Sequence, residues 1–332
     1  MTRASAPRLA RRAALFGAAA LALALAACTG GGERSAAPPP GVTFHALPSG
    51  EALSFAEVAA RARAAELVIV GEIHDQPVHQ QVQAALISAI QARAAAFEMV
   101  PRAREAALAE LRAAGGPEAA GAKTREAAAW DRYAAWAPPI EALAPDAPAL
   151  GAGLPRSALR LAIKEGAAAA FEGDAAAYAL DTPLPADMAE AMRVEQIDAH
   201  CGALPEAMAP GMVEAQRLRD AAFADALLRA VEAGDPEAGP PVLVTGNGHA
   251  RRGRGSPRYI AAAAPDADLL VIGQAAAAPG QSWQEALAPW AAQNPDGPVF
   301  DILAVSTRAP GDGADPCAAL RARMQNKAQA AQ

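Results

Sequence analysis

The sequence predicts an α/β fold, a mostly parallel sheet flanked by helices with a smaller helical insertion or subdomain. Two observations predict it. Short, continuous apolar runs recur along the 332 residues and are typical of strands buried on both faces of a sheet. Alanine-rich stretches lie between these runs and favour helices, because alanine is the best helix former. The alternation of strand and helix implies right-handed crossovers between parallel strands.

The elements follow in chain order. Five apolar runs are the predicted strands: residues 67–71, 95–99, 242–245, 269–273 and 299–305. Six stretches have helical character: residues 55–65, 78–93, 101–114, 186–198, 211–233 and 316–325. One weak strand candidate, near residues 150–154, interrupts the long interval between the second and third strands. We therefore expect a helical insertion at about residues 155–235 within a domain of residues 42–308.

The N-terminus has the layout of an export signal. Four arginines precede an apolar run at residues 13–27, which is too short to span a bilayer and ends at Cys28. This resembles a bacterial lipoprotein signal and implies removal of residues 1–27 and lipidation of Cys28. Thr29 follows, so the resemblance implies an outer-membrane protein that faces the periplasm or the cell surface. An ordinary secretory signal that happens to end in cysteine is the alternative.

Composition outside the domain predicts two flanking segments. The glycines and prolines of residues 28–41 predict a flexible tether, and residues 309–332 are expected to form a C-terminal helix and tail. The formal net charge of −7 excludes a typical nucleic-acid binder, which needs clustered basic residues. Cys201 and Cys317 remain after Cys28, and in an oxidising compartment they form either one disulfide or two buried thiols.

Polar side chains lie at the carboxyl ends of three predicted strands. Residues 71–75 read Gly-Glu-Ile-His-Asp after the first strand, Glu98 lies in the second, and residues 246–249 read Gly-Asn-Gly-His after the third. Ligands of parallel α/β sheets bind beyond these ends. Two strands thus end in Gly-x-x-His, and we expect each glycine to let the backbone turn sharply so that His74 or His249 folds back over the sheet.

Glu72, His74, Glu98 and His249 are the candidate catalytic residues. Two imidazoles and two carboxylates that converge suit acid–base catalysis, or a divalent metal ion with an open coordination position. His74, Glu98 and His249 are the predicted ligands in the second case. A hydrogen-bonded histidine in a loop is the plainer explanation of His74 alone. Catalysis and binding are both kept as alternatives.

Several motifs carry a family resemblance. The segments at residues 71–79, 97–99 and 246–250 resemble the ChaN family of haem-binding lipoproteins, which is related to the Tiki and TraB proteins. Further matches lie at residues 130–140, 200–205 and 216–220, and the resemblance covers about residues 42–308. It implies haem binding in iron acquisition at the outer membrane. The Tiki branch implies instead a metal-dependent, protease-like hydrolase that uses the paired Gly-x-x-His motifs and glutamates.

The resemblance also implies how haem is held. ChaN-like proteins suggest tyrosine ligation with a histidine contributed across a haem-mediated homodimer, and Tyr178 and His200 are the candidate pair. A buried histidine beside a disulfide is the alternative for His200. Arg251 and Arg252 follow His249 and could receive the haem propionates or another anion, while a solvated loop is the plainer explanation of these arginines.

Overall fold

A computed structural model describes residues 37–116, 133–291, 294, 297–308 and 317–318. Its strands are β1 (Thr43–Ala46), β2 (Ala52–Leu53), β3 (Leu67–Val70), β4 (Ala95–Pro101), β5 (Ala149–Gly153), β6 (Val242–Val244), β7 (Leu269–Ala277) and β8 (Ile302–Thr307). The helices are α1 (Phe55–Ala64), α2 (Pro77–Ile90), α3 (Glu105–Ala113), α4 (Tyr133–Glu141), α5 (Arg156–Glu165), α6 (Ala167–Ala170), α7 (Ala186–Ala199), α8 (Ala209–Ala233), α9 (Asn247–Ala250), α10 (Ser256–Ala263) and α11 (Trp283–Ala291).

The strands form one eight-stranded sheet, and the α/β class is confirmed. Its order is β2-β1-β8-β7-β3-β6-β4-β5. The six strands from β8 to β5 pair in parallel, whereas β1 is antiparallel to both of its neighbours. The predicted strands correspond to β3, β4, β6, β7 and β8, and the weak candidate near residue 150 is β5. The β1–β2 hairpin was missed because its strands are too short to give a periodic apolar signal.

The core occupies both faces of the sheet because strand side chains alternate in direction. Val68 and Val70 of β3 belong to the apolar cluster on one face, and Leu67 and Ile69 belong to the cluster on the other. All four residues are buried, which explains why the run is continuously apolar. Strands β3, β6 and β4 are adjacent, so the polar segments that follow them meet at one edge.

Helices α5 to α8 occupy the interval predicted as a helical insertion. The 25-residue α8 runs along the sheet and contacts β4, β5 and β6 as well as α5, α6 and α7. Its buried positions include Leu218, Phe223 and Leu227. The long helix therefore joins the insertion to the strands that carry the polar segments.

Residues at the two ends of the chain are described only in part. Pro38, Pro39 and Pro40 line a cleft with Gln81 of α2 and Pro138 of α4. Residues 1–36, including Cys28 and the predicted signal, lie outside the described residues, as does the predicted C-terminal helix apart from residues 317–318. Among the helices that the structure describes, none is long and apolar enough to cross a bilayer.

Candidate functional site

The segment after β3 fixes one histidine against a buried carboxylate. Glu72 is 2% exposed, and its Oε1 lies 2.7 Å from Nδ1 of His74. Gln83 of α2 donates to the other carboxylate oxygen of Glu72 at 3.0 Å. The imidazole of His74 also meets Trp136 edge to face, with ring centroids 6.0 Å apart. The Nδ1 atom of His74 is thereby committed to Glu72, and Nε2 is directed toward Glu98.

Glu98 lies between the two Gly-x-x-His motifs. Its Oε2 accepts hydrogen bonds from the Thr245 hydroxyl and the Gly246 N–H, both at 2.7 Å. Its Oε1 lies 3.9 Å from Nε2 of His74 and 3.6 Å from Nε2 of His249. The structure therefore brings together Glu72, His74, Glu98 and His249, as the sequence predicts.

His249 is oriented by Asp220, which the sequence places in the matched segment at residues 216–220 without pairing it with a particular histidine. Its Nδ1 lies 2.7 Å from Oδ1 of Asp220, a fully buried residue of α8. The Phe223 ring packs edge to face against the imidazole of His249, with ring centroids 4.8 Å apart. Each histidine thus has a carboxylate at Nδ1 and directs Nε2 toward Glu98. The signal that could have found Asp220 is its place at the end of the matched segment at residues 216–220.

The charges of the site oppose the effect of burial. Burial alone lowers the pKa of His249, but Glu98 and Asp220 outweigh it and raise that pKa. Burial alone raises the pKa of Glu98, but the charges of His249 and His74 and the hydrogen bond from the Gly246 N–H outweigh it and lower that pKa. The arrangement therefore favours a protonated His249 beside an ionised Glu98, a pair suited to proton transfer.

The same residues do not fit a divalent metal in this arrangement. Among the residues that the structure describes, no group of three His, Cys, Asp or Glu side chains could hold a metal ion. The predicted ligands His74, Glu98 and His249 are therefore close together, but as hydrogen-bonded and ion-paired groups.

The two glycines serve close packing, which corrects the expectation of a sharp turn. Neither Gly71 nor Gly246 has a positive φ. A Cβ on Gly71 would lie 2.4 Å from Oδ1 of Asn247, and a Cβ on Gly246 would lie 3.0 Å from Nε2 of His74. The motifs need glycine because each strand end contacts the segment that carries the other histidine.

His79 supports the first motif from the interior. It is 1% exposed, and its Nδ1 accepts the N–H of Ile73 at 3.0 Å. Burial lowers the pKa of His79 to about 4, so the ring is neutral at neutral pH. Its function is to hold the backbone beside His74.

Tyr178 lies apart from this cluster. The ring is 8% exposed and packs on Phe171 with centroids 5.1 Å apart, and the hydroxyl donates to Asp225 at 3.1 Å. Burial raises the pKa of Tyr178. The residue lines a cleft of about 460 Å³ together with Arg252 and Arg258.

His200 lies at the C-terminal end of α7, next to a disulfide. Its side chain is half-buried, and Nδ1 lies 2.7 Å from the carbonyl oxygen of Gln196. Cys201 and Cys317 are joined with an S–S distance of 1.98 Å, which ties α7 to the C-terminal segment. The carbonyl is an acceptor, so Nδ1 carries the proton and the lone pair of His200 is on Nε2.

The two arginines after His249 are held by carboxylates. The buried Arg251 pairs with Glu195 of α7 at 2.7 Å, and Arg252 makes a two-pronged contact with Asp301 at 2.6 and 2.9 Å. The loop is therefore fixed to its surroundings, and an anion at either arginine would compete with a carboxylate.

Comparison with known proteins gives two matches. The family model described as haem-binding uptake, Tiki superfamily, ChaN matches residues 58–260. The solved structure entitled cofacial heme binding to ChaN of Campylobacter jejuni is 15% identical, with a TM-score of 0.59 over 81% of this chain and 98% of that one. At this identity the structural match demonstrates a shared fold. A comparison with curated proteins found no match.

Proposed function

Because the chain belongs to the haem-binding uptake family of ChaN in the Tiki superfamily, we propose that it binds haem and takes part in haem or iron acquisition at the outer membrane. The observation that carries this proposal is the state of His200. Ligating histidines usually donate the other ring N–H to a carboxylate or a backbone carbonyl, which fixes the tautomer. His200 has this arrangement, with Nδ1 at 2.7 Å from the Gln196 carbonyl oxygen.

The donor set fits haem better at His200 than at Tyr178. Haem supplies an iron that accepts an axial nitrogen or oxygen ligand. The Nε2 lone pair of His200 is on a half-buried ring, whereas the Tyr178 hydroxyl is bonded to Asp225 and its pKa is raised. Ligation by Tyr178 requires loss of that bond and of the phenolic proton. We therefore assign His200 as an axial ligand and keep Tyr178 as the second candidate.

Attachment to the outer membrane is the second part of the proposal. Its support is the lipoprotein-like signal before Cys28 and the glycine- and proline-rich segment after it. A haem-mediated homodimer is the third part, because one axial histidine leaves the opposite face of the iron for a ligand from a second chain. Mutation of Cys28 to serine should release the protein from membranes, and haem should raise the native mass of the purified chain.

Titration of the purified full chain with haem tests the central part. We expect a saturable shift of the Soret band in the wild type, its loss in His200→Ala, and its retention in Tyr178→Phe. Loss in Tyr178→Phe with retention in His200→Ala would reverse the assignment of ligands. A wild-type titration without a saturable shift would contradict haem binding itself.

The metal-dependent, protease-like hydrolase implied by the Tiki branch is the second candidate function, and it requires the ion-paired side chains of the site to rearrange around a metal ion. The observation that favours it is that His74 and His249, each held by a carboxylate at Nδ1, direct Nε2 toward Glu98. Elemental analysis of protein prepared without chelator should then find metal in the wild type and none in the His74→Ala/His249→Ala double variant. Equal metal content in both proteins would count against this function.

A further inference from the structure

A small pocket lies beyond the carboxyl ends of β4 and β5, the position at which ligands of parallel α/β sheets bind. We call it the β4–β5 pocket. Its volume is about 350 Å³, at the lower end of the range for small-molecule sites, roughly 300–1,000 Å³. Most of its lining is apolar and comes from α5, α6, α8 and the residues next to them: Leu154, Ala158, Ala170, Phe171, Leu218 and Ala222. The pocket therefore suits a small molecule that carries an aliphatic or aromatic group.

Close packing between β4 and β5 fixes the polar end of the β4–β5 pocket. The register of the two strands shifts between Phe97 and Pro101, and Arg102 follows directly and lines the pocket. A Cβ on Gly151 of β5 would lie 2.8 Å from the Cα of Arg102, so a glycine is needed for the two backbones to approach this closely. The backbone that carries the Arg102 side chain is therefore held in place before a ligand binds.

The guanidinium of Arg102 has N–H groups available for a ligand. Within the described residues its ion-pair contact is with Asp225 at 3.8 Å, which is too long for a hydrogen bond. Asp225 has closer contacts, since it accepts from the Tyr178 hydroxyl at 3.1 Å and from Nε of Arg229 at 3.3 Å. A carboxylate of a ligand can therefore accept from Arg102 without displacing a protein hydrogen bond.

The start of α5 adds a second attraction for a carboxylate. Among the described residues, none caps α5 with its side chain, and the first turn of this helix holds no acidic residue. The N–H groups at a helix N-terminus carry a partial positive charge that favours an anion. Pro155, which precedes α5, and Ala158 in its first turn both line the pocket. The helix N-terminus and Arg102 therefore favour the same kind of group.

Glu172 is the acidic residue of the lining. It is exposed and follows α6 in the chain. A ligand that carries only a carboxylate would be repelled by this charge, whereas an ammonium group would be attracted to it. A molecule with both charges and an apolar body therefore matches the charged and the apolar parts of the lining together.

We propose that the β4–β5 pocket binds an apolar α-amino acid. Its carboxylate contacts Arg102, its ammonium group lies toward Glu172, and its side chain packs on the apolar wall that includes Phe171 and Leu218. This site is separate from the haem binding proposed above and does not depend on it.

Calorimetric titration of the full chain with leucine and leucinamide tests the carboxylate contact. Leucinamide lacks the carboxylate, so the wild type should bind it more weakly than leucine. Arg102→Gln should weaken leucine binding roughly tenfold or more and bring the affinities for the two ligands together. An unchanged affinity of Arg102→Gln for leucine, or equal affinities of the wild type for leucine and leucinamide, would overturn this contact.

The ammonium contact is tested in the same way with 4-methylpentanoate, which has the carboxylate and side chain of leucine but no ammonium group. Glu172→Gln should weaken leucine binding about threefold, because Glu172 is exposed to solvent, and it should not weaken binding of 4-methylpentanoate. An unchanged affinity for leucine, or the same loss for both ligands, would overturn the contact with Glu172.

Two tryptophan variants of α5 test the location. Ala158 lines the β4–β5 pocket, so Ala158→Trp fills it, whereas Leu161 is exposed and does not line the pocket. We expect Ala158→Trp to weaken leucine binding roughly tenfold or more and Leu161→Trp to leave it unchanged. Melting temperatures of the unliganded variants check folding. Equal affinities in the two variants would overturn the location, and absence of saturable heat with both leucine and phenylalanine in the wild type would overturn the site itself.

Discussion

Replacement of Gly71 by alanine tests whether close approach is the reason for glycine in the first motif. The added Cβ would lie 2.4 Å from Oδ1 of Asn247 and 3.0 Å from Cβ of Ala250, where ordinary contacts begin at 3.4 Å. The Asn247 side chain must move by about 1 Å, although both of its polar atoms bond the backbone of the buried Gln274 at 2.6 and 3.2 Å. Overpacking and a weakened buried hydrogen bond together cost about 2–3 kcal/mol.

The matched control for Gly71→Ala is Gly248→Ala. Gly248 lies in the second motif, and a Cβ there meets nothing within 4 Å. The free energy of unfolding of Gly248→Ala should stay within about 0.5 kcal/mol of the wild-type value. We expect thermal unfolding to show a loss of about 4–12 °C for Gly71→Ala and little change for Gly248→Ala. Equal melting temperatures would refute the view that packing against Asn247 is what requires a glycine.

Three further predictions concern His79, the disulfide and the central ion pair. The folded-state pKa of His79, about 4, lies below its unfolded value of 6.5. The contribution of His79 to the free energy of unfolding is therefore complete above pH 6.5, and it is smaller by about 2–3 kcal/mol at pH 4.5. Between pH 7 and pH 4.5, the free energy of urea unfolding should decrease less for His79→Gln than for the wild type. Equal decreases in the two proteins would contradict this. Cys201 and Cys317 close a loop of 116 residues, so Cys201→Ser should cost about 2–5 kcal/mol. Thiol titration of the denatured, unreduced chain should find neither cysteine free, and two free thiols would contradict the bridge. Finally, Glu98→Gln should lower the pKa of His249 in NMR titrations. Burial lowers this pKa, and in the variant only the Asp220 carboxylate remains to raise it. An unchanged pKa would contradict the ion pair.

The strands of the parallel sheet were predictable where three or more apolar residues are consecutive, as at residues 67–70 and 242–244. The residue at which β8 begins was not predictable. Val299 and Phe300 continue the apolar pattern, yet the strand begins at Ile302, and the Phe300 ring packs over Gly273 of β7. Apolar patterning indicates burial, but it does not distinguish a strand from a loop that covers one.

The sequence was sufficient to predict that Glu98 and the two histidines of the candidate site lie together. His74 and His249 follow β3 and β6, and Glu98 lies toward the end of β4. A parallel sheet brings the carboxyl ends of these strands to one edge, so their convergence follows from topology. Asp220 could not be paired with His249, because their contact depends on how α8 crosses the sheet.

The affinity of the full chain for haem, measured in the His200→Ala variant with and without free imidazole, tests the central claim most directly. Imidazole can replace the missing side chain at the iron, whereas it cannot repair a folding defect. We predict that the variant loses the Soret shift of the wild type and regains it when imidazole is added. A variant that binds haem as the wild type does, or that imidazole does not restore, would contradict ligation by His200.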